Sequence, residues 1–426
     1  MSGREKLSAF SRKTAAFLAE NNARTAAICA KSSDLAFAAV IACVACGVCY
    51  IPINNSLPAE RREKLLREAD IVLDESVLCG IAEKYPERDF VLPKLCGNHP
   101  VYQIYTSGTT GEPKGIEVSR GNLGSFLRWF LDIPAISRVQ PKRVLSHAAF
   151  SFDLSVAALY YCMYSGAEFI KADGDLMRDF DGAFRRMRES RAELFVLTPT
   201  YAELCMCDRS FNQVLLPQLR VFFFCGEVLK PQTAARLFER FPDVHIINAY
   251  GPSEACCAVT AAEIFPDKTK SPLPIGDLSH TAGEIRIIDG EIVIFGESVA
   301  RYTGEQSGGF RTVGGERCFF TGDSGFIRDN MLYFSGRRDR QLKIKGYRIE
   351  PEDIENNLLR IDGVKQALVS LNGRRLKAEV VTDGTLSAEQ IRSRLTGLLP
   401  DYMIPAEIAI TERLFANENG KLIRGR

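Results

Sequence analysis

Three glycines, four hydroxyl side chains and a lysine fall within the ten residues Thr106–Gly115, directly after the strand-like run Val101–Tyr105. Glycine lets backbone N–H groups approach an anion, hydroxyls donate hydrogen bonds and lysine adds a positive charge, so the segment predicts a polyphosphate-binding loop. It is not a Walker A loop, because Pro113 precedes Lys114 and Gly115 follows it. A flexible surface turn is the alternative for this composition.

Composition excludes several classes of protein. The chain has 426 residues, 46% hydrophobic and 25% charged, as in ordinary soluble proteins of two to three domains. Its 54 Lys and Arg residues balance 53 Asp and Glu residues, which argues against a nucleic-acid surface. Thirteen cysteines occur without a recognisable export signal, so we expect reduced thiols and a cytoplasmic protein.

The uncharged stretch Leu35–Ile53 is long enough to suggest a membrane span. It is rich in weakly hydrophobic Ala, Cys and Gly, however, and Gly47 divides it. We predict a helix over Leu35–Cys46 and a buried strand over Val48–Ile51. A C-x2-C-x2-C run begins at Cys43, but the fourth cysteine of an iron–sulfur site is missing, so these thiols are expected to pack in the core.

The elements that must position the loop follow an alternating pattern. Strand-length apolar runs such as Leu194–Leu197, Val221–Phe224 and Val244–Ile247 alternate with helical patterns such as Pro231–Phe241. This alternation predicts an α/β fold with mainly parallel sheets. Residues 282–334 change to short strands and glycine turns, which predict a small antiparallel or β-barrel-like subdomain.

A charged segment, Gly336–Gln341, precedes a tail of α+β pattern. We place the domain boundary there. The prediction is a large N-terminal α/β domain over residues 1–338 and a small α+β domain over residues 339–426.

The sequence of the predicted phosphate loop, Tyr105–Gly115, is Y-T-S-G-T-T-G-E-P-K-G. It resembles the phosphate-loop signature of the adenylate-forming superfamily of acyl- and aminoacyl-AMP synthetases. Other segments follow in that superfamily's order: Asn248–Glu254, Thr321–Asp323, Gly336–Asp339 continuing to Lys345–Glu350, and Leu399–Pro405 with Asn419–Lys421. The spaced motifs cover most of the chain.

Two further segments, Phe150–Ser155 and Phe224–Leu229, resemble those of D-alanine–D-alanyl carrier protein ligases and amino-acid adenylation domains. The resemblance implies ATP-dependent adenylation of a small amino acid, with Mg2+, followed by transfer to the phosphopantetheine thiol of a carrier protein. It also implies a mobile C-terminal domain. We expect a separate carrier, because the chain ends at Arg426 soon after Lys421. Neither nucleic acid nor membrane insertion is expected.

The resemblance assigns roles to single residues. Lys421 would bridge the attacking carboxylate and the α-phosphate, and Glu254 would be the catalytic Mg2+ ligand. Tyr250 would stack on adenine and Asn248 would hydrogen-bond its edge. The implied ATP- or AMP-binding residues are Thr106, Ser107, Gly108, Thr109, Thr110, Gly111, Lys114, Asn248, Ala249, Tyr250, Gly251, Ser253, Asp323 and Arg337, the last two at the ribose.

Asp153 defines the substrate class in the same way, since aminoacyl members pair this aspartate with the substrate's α-ammonium. The implied side-chain pocket is neutral and is lined by Ala157, Phe223, Cys225, Ala249 and Cys257. A small uncharged amino acid is therefore expected, D-alanine first. Asp339 matches the hinge about which the C-terminal domain rotates.

Two alternatives stay open. One is a stand-alone adenylation enzyme for another small amino acid in a biosynthetic pathway. The other is a degenerate member that binds nucleotide or carrier protein without catalysis, because fold does not fix function. A coenzyme A ligase for simple acids is disfavoured by Asp153.

Overall fold

The computed structural model describes residues 3–87, 94–106, 113–172, 179–269, 272–304, 308–344, 346–373, 375–416 and 422–423. These residues form two compact units. The first contains the described residues of Met1–Ile53, Ala69–Ile104 and Gly115–Asp339, and the second those of Asn54–Glu68, Tyr105–Lys114 and Arg340–Arg426.

Helices and strands alternate through the first half of the chain. The elements up to residue 171 are α1 (Gly3–Glu20), β1 (Thr25–Ile28), α2 (Ser33–Cys46), β2 (Cys49–Pro52), α3 (Ala59–Leu66), β3 (Ile71–Leu73), α4 (Glu75–Lys84), β4 (Pro100–Thr106), β5 (Lys114–Ser119), α5 (Arg120–Asp132), α6 (Pro134–Val139), β6 (Arg143–Ser146), α7 (Ser155–Ser165) and β7 (Glu168–Lys171).

The middle of the chain changes from alternating helices and strands to a run of strands. The following elements are α8 (Phe180–Ser190), β8 (Leu194–Leu197), α9 (Pro199–Cys205), β9 (Val221–Phe224), α10 (Pro231–Arg240), β10 (His245–Tyr250), β11 (Thr260–Ile264), β12 (Gly276–Asp277), β13 (Glu284–Ile288), β14 (Glu291–Phe295), β15 (Arg301–Tyr302), β16 (Phe310–Val313), β17 (Glu316–Arg328) and β18 (Met331–Arg337). Single 3-10 turns lie at Ser253–Ala255 and Pro266–Lys268.

The last part of the chain is of mixed type. Its elements are β19 (Leu342–Ile344), β20 (Tyr347–Ile349), α11 (Pro351–Leu359), β21 (Val364–Asn372), β22 (Arg375–Thr382), α12 (Ala388–Thr396), a 3-10 turn (Asp401–Met403), β23 (Glu407–Ile410), β24 (Phe415–Ala416) and β25 (Leu422–Ile423).

Two sheets of the first unit are rich in parallel pairs. The first has the strand order β15-β5-β4-β2-β1-β3, with parallel pairing of β1 to β2, β1 to β3 and β2 to β4. The second has the order β11-β10-β9-β8-β6-β7, and its pairs are parallel except for antiparallel β10 and β11. The predicted α/β class with mainly parallel sheets is confirmed.

The third sheet is antiparallel, with the order β12-β18-β17-β14-β13 and with β16 on β17. It corresponds to the predicted glycine-rich subdomain of short strands. Because β12 and β13 are the two ends of this order, the described strands form an open sheet and not a closed barrel.

The uncharged stretch folds as a buried helix and strand. In α2, the Ser32 hydroxyl accepts the Leu35 N–H over 3.4 Å, and Gly47 ends the helix in the left-handed conformation with φ 71°. Strand β2 follows and is buried throughout. The predicted helix and strand are confirmed, each within two residues. No helix among the described residues is long and apolar enough to cross a membrane.

The cysteines of this stretch lie in or beside the apolar core. Cys43 is fully buried, and this burial raises the pKa of its thiol. All thirteen cysteines fall within the described ranges and are free thiols. Packing therefore accounts for Cys43 without any metal.

The second unit has its own apolar core, formed by residues such as Ile354, Val369 and Ile391. Strands β21 and β22 pair antiparallel, and β22 pairs parallel with β23. Arg61 on α3 donates to both carboxylate oxygens of the fully buried Asp353, over 3.1 and 2.6 Å. The last segment is thus of α+β type, and this ion pair ties α3 into the same unit.

Candidate active site

The pairing of β17 with β18 brings two predicted site residues face to face. Asp323 lies opposite Arg337 in the antiparallel register. Arg337 Nη1 donates to Asp323 Oδ1 over 2.6 Å, and it also donates to the Thr321 carbonyl over 3.0 Å. Since only 3% of Asp323 is exposed, this ion pair offsets the cost of burying its charge.

Strand β10 adds a second donor to the same carboxylate. Tyr250, at the end of β10, donates its hydroxyl to Asp323 Oδ2 over 2.6 Å. Burial first, and the Asp323 charge second, raise the pKa of Tyr250, so the phenol stays protonated as the donor. The backbone N–H of Asp323 donates to the Thr321 hydroxyl over 3.0 Å. Both carboxylate oxygens of Asp323 are thereby fixed in direction.

Two other predicted residues of β10 and the turn after it are held tightly. Asn248 is buried, and its amide nitrogen donates to the Pro274 carbonyl over 2.8 Å. Gly251 has no room for a side chain, because an added Cβ would lie 2.5 Å from the Ala258 Cα. The adenine contact predicted for Asn248 stays a prediction, since an amide keeps a carbonyl oxygen and a second N–H for further bonds.

The turn after β10 carries a buried carboxylate. Glu254 lies in the 3-10 turn Ser253–Ala255 and is 0% exposed. Its Oε1 accepts a hydrogen bond from the Tyr302 hydroxyl over 2.9 Å. Proteins hold Mg2+ beside a nucleotide with one or two carboxylates plus phosphate oxygens. A buried, oriented carboxylate of this kind fits that donor set.

The neighbouring residue Ser253 connects this turn to Asp153. The Ser253 hydroxyl donates a short hydrogen bond to Asp153 Oδ2. Burial is the main cause of the raised pKa of the Cys256 thiol, and the hydrogen bond with Cys225 is the main cause of the raised pKa of Cys257; the Asp153 charge adds to both. The structure thus brings Asp153 beside the Ser253–Cys257 segment, although about 100 residues separate them in the chain.

The five predicted pocket residues all lie in one apolar cluster of the first unit. They are buried: Ala157, Phe223, Cys225, Ala249 and Cys257. The Cys225 thiol lies 3.7 Å from the Cys257 carbonyl oxygen, and Cys257 has a φ of 77°. Two segments that are distant in the chain therefore meet at this point.

The phosphate loop is described only at its ends. Thr106 ends β4 and Lys114 begins β5, whereas Ser107, Gly108, Thr109, Thr110 and Gly111 lie outside the described residues. Among the residues that the structure describes, the buried Thr106 hydroxyl has no hydrogen-bond partner. Buried hydroxyls usually have a partner, so an incoming phosphate oxygen would satisfy this one. Lys421 also lies outside the described residues.

The predicted hinge residue Asp339 contacts the Asp323–Arg337 ion pair through Arg337. Arg337 Nε donates to Asp339 Oδ1 over 2.8 Å. Gly322, with φ 73°, lies against the same pair, since an added Cβ would lie 2.8 Å from Asp339 Oδ2. The hinge role of Asp339 stays a prediction.

Sequence reasoning missed two residues of the site. Tyr302 contacts Glu254 through its hydroxyl, and Thr321 accepts the Asp323 N–H. Thr321 could have been found, because it begins the T-G-D motif. Tyr302 lies outside every motif that the sequence analysis identified, so its contact with Glu254 could not be predicted.

The chain is similar to known proteins in sequence and in fold. Residues 71–302, more than half of the chain, match the AMP-binding enzyme family. The chain is 35% identical over 431 residues to the D-alanine--D-alanyl carrier protein ligase of Bacillus licheniformis, covering 91% of this chain and 85% of the relative. It is 36% identical over 367 residues to the ligase of the same name from Listeria monocytogenes, covering 76% and 70%.

A solved structure shows the same fold. The o-succinylbenzoate CoA synthetase of Bacillus subtilis superposes with a TM-score of 0.82, covering 98% of this chain and 92% of that chain at 22% identity. At this identity the likeness concerns the fold alone, and substrate choice must be argued from the site.

Proposed function

This chain belongs to the AMP-binding enzyme family, and from that premise we propose that it adenylates a small amino acid, D-alanine first, and passes it to a carrier protein. The substrate carboxylate attacks the α-phosphorus of ATP, and pyrophosphate leaves. A phosphopantetheine thiol of a separate carrier then attacks the aminoacyl carbonyl, and AMP leaves. The curated relatives named D-alanine--D-alanyl carrier protein ligase support this choice of substrate and partner.

The buried cluster of Tyr250, Asp323 and Arg337 is the observation that supports nucleotide binding. Tyr250 and Arg337 each donate a hydrogen bond of 2.6 Å to one oxygen of the Asp323 carboxylate, which is buried. A carboxylate so fixed accepts the two hydroxyls of a ribose without reorganising. Asn248, Ala249 and Gly251 complete this side of the proposed nucleotide site.

Asp153 and the neutral pocket support a small amino acid as the substrate. A buried ammonium needs an anionic partner, and Asp153 supplies one. The five pocket residues offer no charge, so a charged side chain would find no counter-ion among them. A side chain as small as that of alanine suits walls formed by Ala157, Ala249, Cys225 and Cys257 together with the ring of Phe223.

In this proposal, the residues that bind the ATP phosphates and neutralise their charge carry the catalysis. Thr106, the glycine-rich loop and Lys114 would bind the phosphates, and Glu254 would hold Mg2+, which neutralises phosphate charge when bound. Lys421 would bridge the carboxylate and the α-phosphate. We assign residues 1–338 and 339–426 to the two domains, with Asp339 as the hinge that withdraws Lys421 before thiol transfer.

Amino-acid-dependent ATP–pyrophosphate exchange tests the proposal, with D-Ala, L-Ala, Gly, Ser and Cys compared. We expect exchange chiefly with D-Ala, followed by D-alanyl transfer to a phosphopantetheinylated carrier. Lys421→Ala should reduce exchange by about a hundredfold or more while ATP binding is largely kept, as for a group acting in the transition state. Lys365→Ala, on the exposed face of β21, is the matched control.

Three other results of the exchange assay would each contradict one part of the proposal. Preference for a different small amino acid would retain the chemistry and replace D-alanine as the substrate. Absence of exchange across the panel, with ATP still bound, would support the degenerate binder and contradict the proposed enzyme. Full exchange by Lys421→Ala would contradict the catalytic assignment of this lysine.

A further inference from the structure

Tyr302 makes a contact that neither the family motif nor the proposed function requires. Its hydroxyl donates to Glu254 Oε1 over 2.9 Å, and only 8% of Tyr302 and 0% of Glu254 are exposed. A carboxylate buried to this degree needs hydrogen-bond donors or ionic partners. The Tyr302 hydroxyl is such a donor, and it also fixes the rotation of the carboxylate group.

The backbone holds Tyr302 between two parts of the proposed site. In β15, Tyr302 pairs with Ile116 of β5, the strand that follows the phosphate loop. Next to it, the Thr303 N–H donates to the Gly115 carbonyl over 2.8 Å. On the other side, the Ala300 N–H donates to the Glu254 carbonyl over 2.8 Å. Tyr302 therefore connects the loop strand to the turn that carries Glu254.

Packing also fixes the direction of the Tyr302 ring. Phe310 contacts it edge to face, with ring centroids 4.8 Å apart. Gly308 lies against its edge so closely that an added Cβ would be 2.3 Å from the ring carbon Cε2. Since a ring held on both sides cannot swing away, its hydroxyl keeps its place at Glu254.

We infer that Tyr302 is a positioning residue, which aims the Glu254 carboxylate at the divalent cation of a bound nucleotide. This inference rests on the proposed function only in taking Glu254 as the cation ligand. Mg2+ demands near-ideal octahedral geometry, so the orientation of a ligating carboxylate affects affinity. Partners that orient metal ligands commonly change metal affinity by about 10- to 100-fold when they are removed.

Tyr302→Phe removes the hydroxyl and keeps the ring. Tyr161→Phe is a matched control, because Tyr161 is also buried and its hydroxyl donates over 2.9 Å to a backbone carbonyl, that of Pro141. Mn2+ replaces Mg2+ as the probe, and its binding to the full-length protein with α,β-methylene-ATP is followed by electron paramagnetic resonance. We expect about tenfold weaker Mn2+ binding for Tyr302→Phe and unchanged binding for the control.

Unchanged Mn2+ affinity in Tyr302→Phe would overturn the inference. Should that variant fail to fold, Gly308→Ala decides in the same way, because it displaces the ring and keeps the hydroxyl. A double-variant cycle adds a second measurement: in a Glu254→Gln background, Tyr302→Phe should cause little further loss of ATP–pyrophosphate exchange. A full additional loss there would show that the hydroxyl acts elsewhere.

Failure of the proposed function is distinguishable from failure of this inference. If the wild-type protein shows no exchange with any amino acid, the adenylation proposal fails. The comparison of Mn2+ affinities does not depend on turnover and still decides whether Tyr302 positions Glu254.

Discussion

The Tyr250 hydroxyl donates to Oδ2 of Asp323 over 2.6 Å, joining the end of β10 to the middle of β17. Strands of the parallel-rich second sheet and of the antiparallel third sheet therefore meet at one carboxylate. Arg337 holds the other oxygen of the same group. Strands β10, β17 and β18 thus define one rigid acceptor.

Tyr250→Phe tests this relationship. The ring that is proposed to stack on adenine is kept, while one hydrogen bond to the charged Asp323 is lost. Such bonds contribute about 1.5–3 kcal/mol, so we expect ATP to bind about tenfold or more weakly. Isothermal titration with ATP measures the effect, with Tyr161→Phe as the control. Equal ATP affinity in Tyr250→Phe and the wild type would show that the hydroxyl does not prepare Asp323 for ribose.

Asp153→Asn addresses the amino-acid side of the site. Removing the charge leaves the substrate ammonium without its counter-ion, which costs roughly 2–5 kcal/mol in buried pairs. We expect the KM for D-Ala in ATP–pyrophosphate exchange to rise by about a hundredfold, with ATP affinity little changed. An unchanged KM would contradict the role of Asp153.

Two substitutions of Ser253 test whether its hydroxyl orients Asp153. Its hydroxyl holds Asp153 Oδ2, so Ser253→Ala should raise the KM for D-Ala, and Ser253→Thr, which keeps a hydroxyl, should raise it much less. Hydrogen bonds of a hydroxyl to a charged group suggest about a tenfold effect for the alanine variant. Identical KM values for the two variants would argue that the hydroxyl does not orient Asp153.

The close approach at Gly251 predicts a strong steric effect. In Gly251→Ala the new Cβ would meet backbone atoms, the Ala258 Cα at 2.5 Å and the Cys257 oxygen at 2.9 Å. Backbone cannot yield as a side chain can, so we expect destabilisation of about 1–3 kcal/mol together with loss of exchange activity. Denaturant unfolding measures the first effect.

Gly80→Ala is the matched control for this glycine. Gly80 lies within α4, and an added Cβ there meets no atom within 4 Å. Alanine is favoured over glycine in helices by about 0.5–1 kcal/mol, so this variant should be slightly more stable than the wild type. Equal stability losses in the two variants would contradict the steric argument.

The sequence predicted much of the fold because the signals were local. Apolar runs coincide with β8 and β9, and the glycine after Cys46 ends α2 as expected. Motif order also indicated that Asp323 and Arg337 act together, and strand register places them opposite each other. The T-G-D motif and the charged segment Gly336–Gln341 thus contain two residues that the structure brings together.

Contacts between distant segments could not be predicted. Nothing in residue types indicates that Ser253 meets Asp153, or that Tyr302 meets Glu254. The sequence also did not predict that α3 belongs to the second unit, where Arg61 pairs with Asp353. A helix surface of charged residues normally faces water. Such contacts depend on tertiary packing, for which one sequence gives no pairing signal.

His147 predicts a pH dependence of stability. Burial first, and the Lys171 ammonium second, lower the pKa of His147 to about 3. Its ring lies on Tyr201 with centroids 4.3 Å apart, and Lys171 donates to the His147 carbonyl over 2.7 Å. The imidazole is therefore neutral in the folded protein throughout the physiological range.

The sign follows from proton binding. In the unfolded chain a histidine titrates near pH 6.5, so below that pH the unfolded state binds a proton that the folded state does not. The free energy of unfolding should therefore fall from about pH 6.5 towards pH 3, by about 1.4 kcal/mol per pH unit at most. Between pH 7 and pH 5 the His147 contribution is about 2 kcal/mol.

Urea unfolding of the wild type and of His147→Gln at pH 7, 6 and 5 measures this contribution. The glutamine variant cannot take up the proton, so the difference in stability between wild type and variant should narrow, or change sign, as the pH falls. Parallel pH profiles for the wild type and His147→Gln would show that His147 titrates alike in the folded and unfolded states.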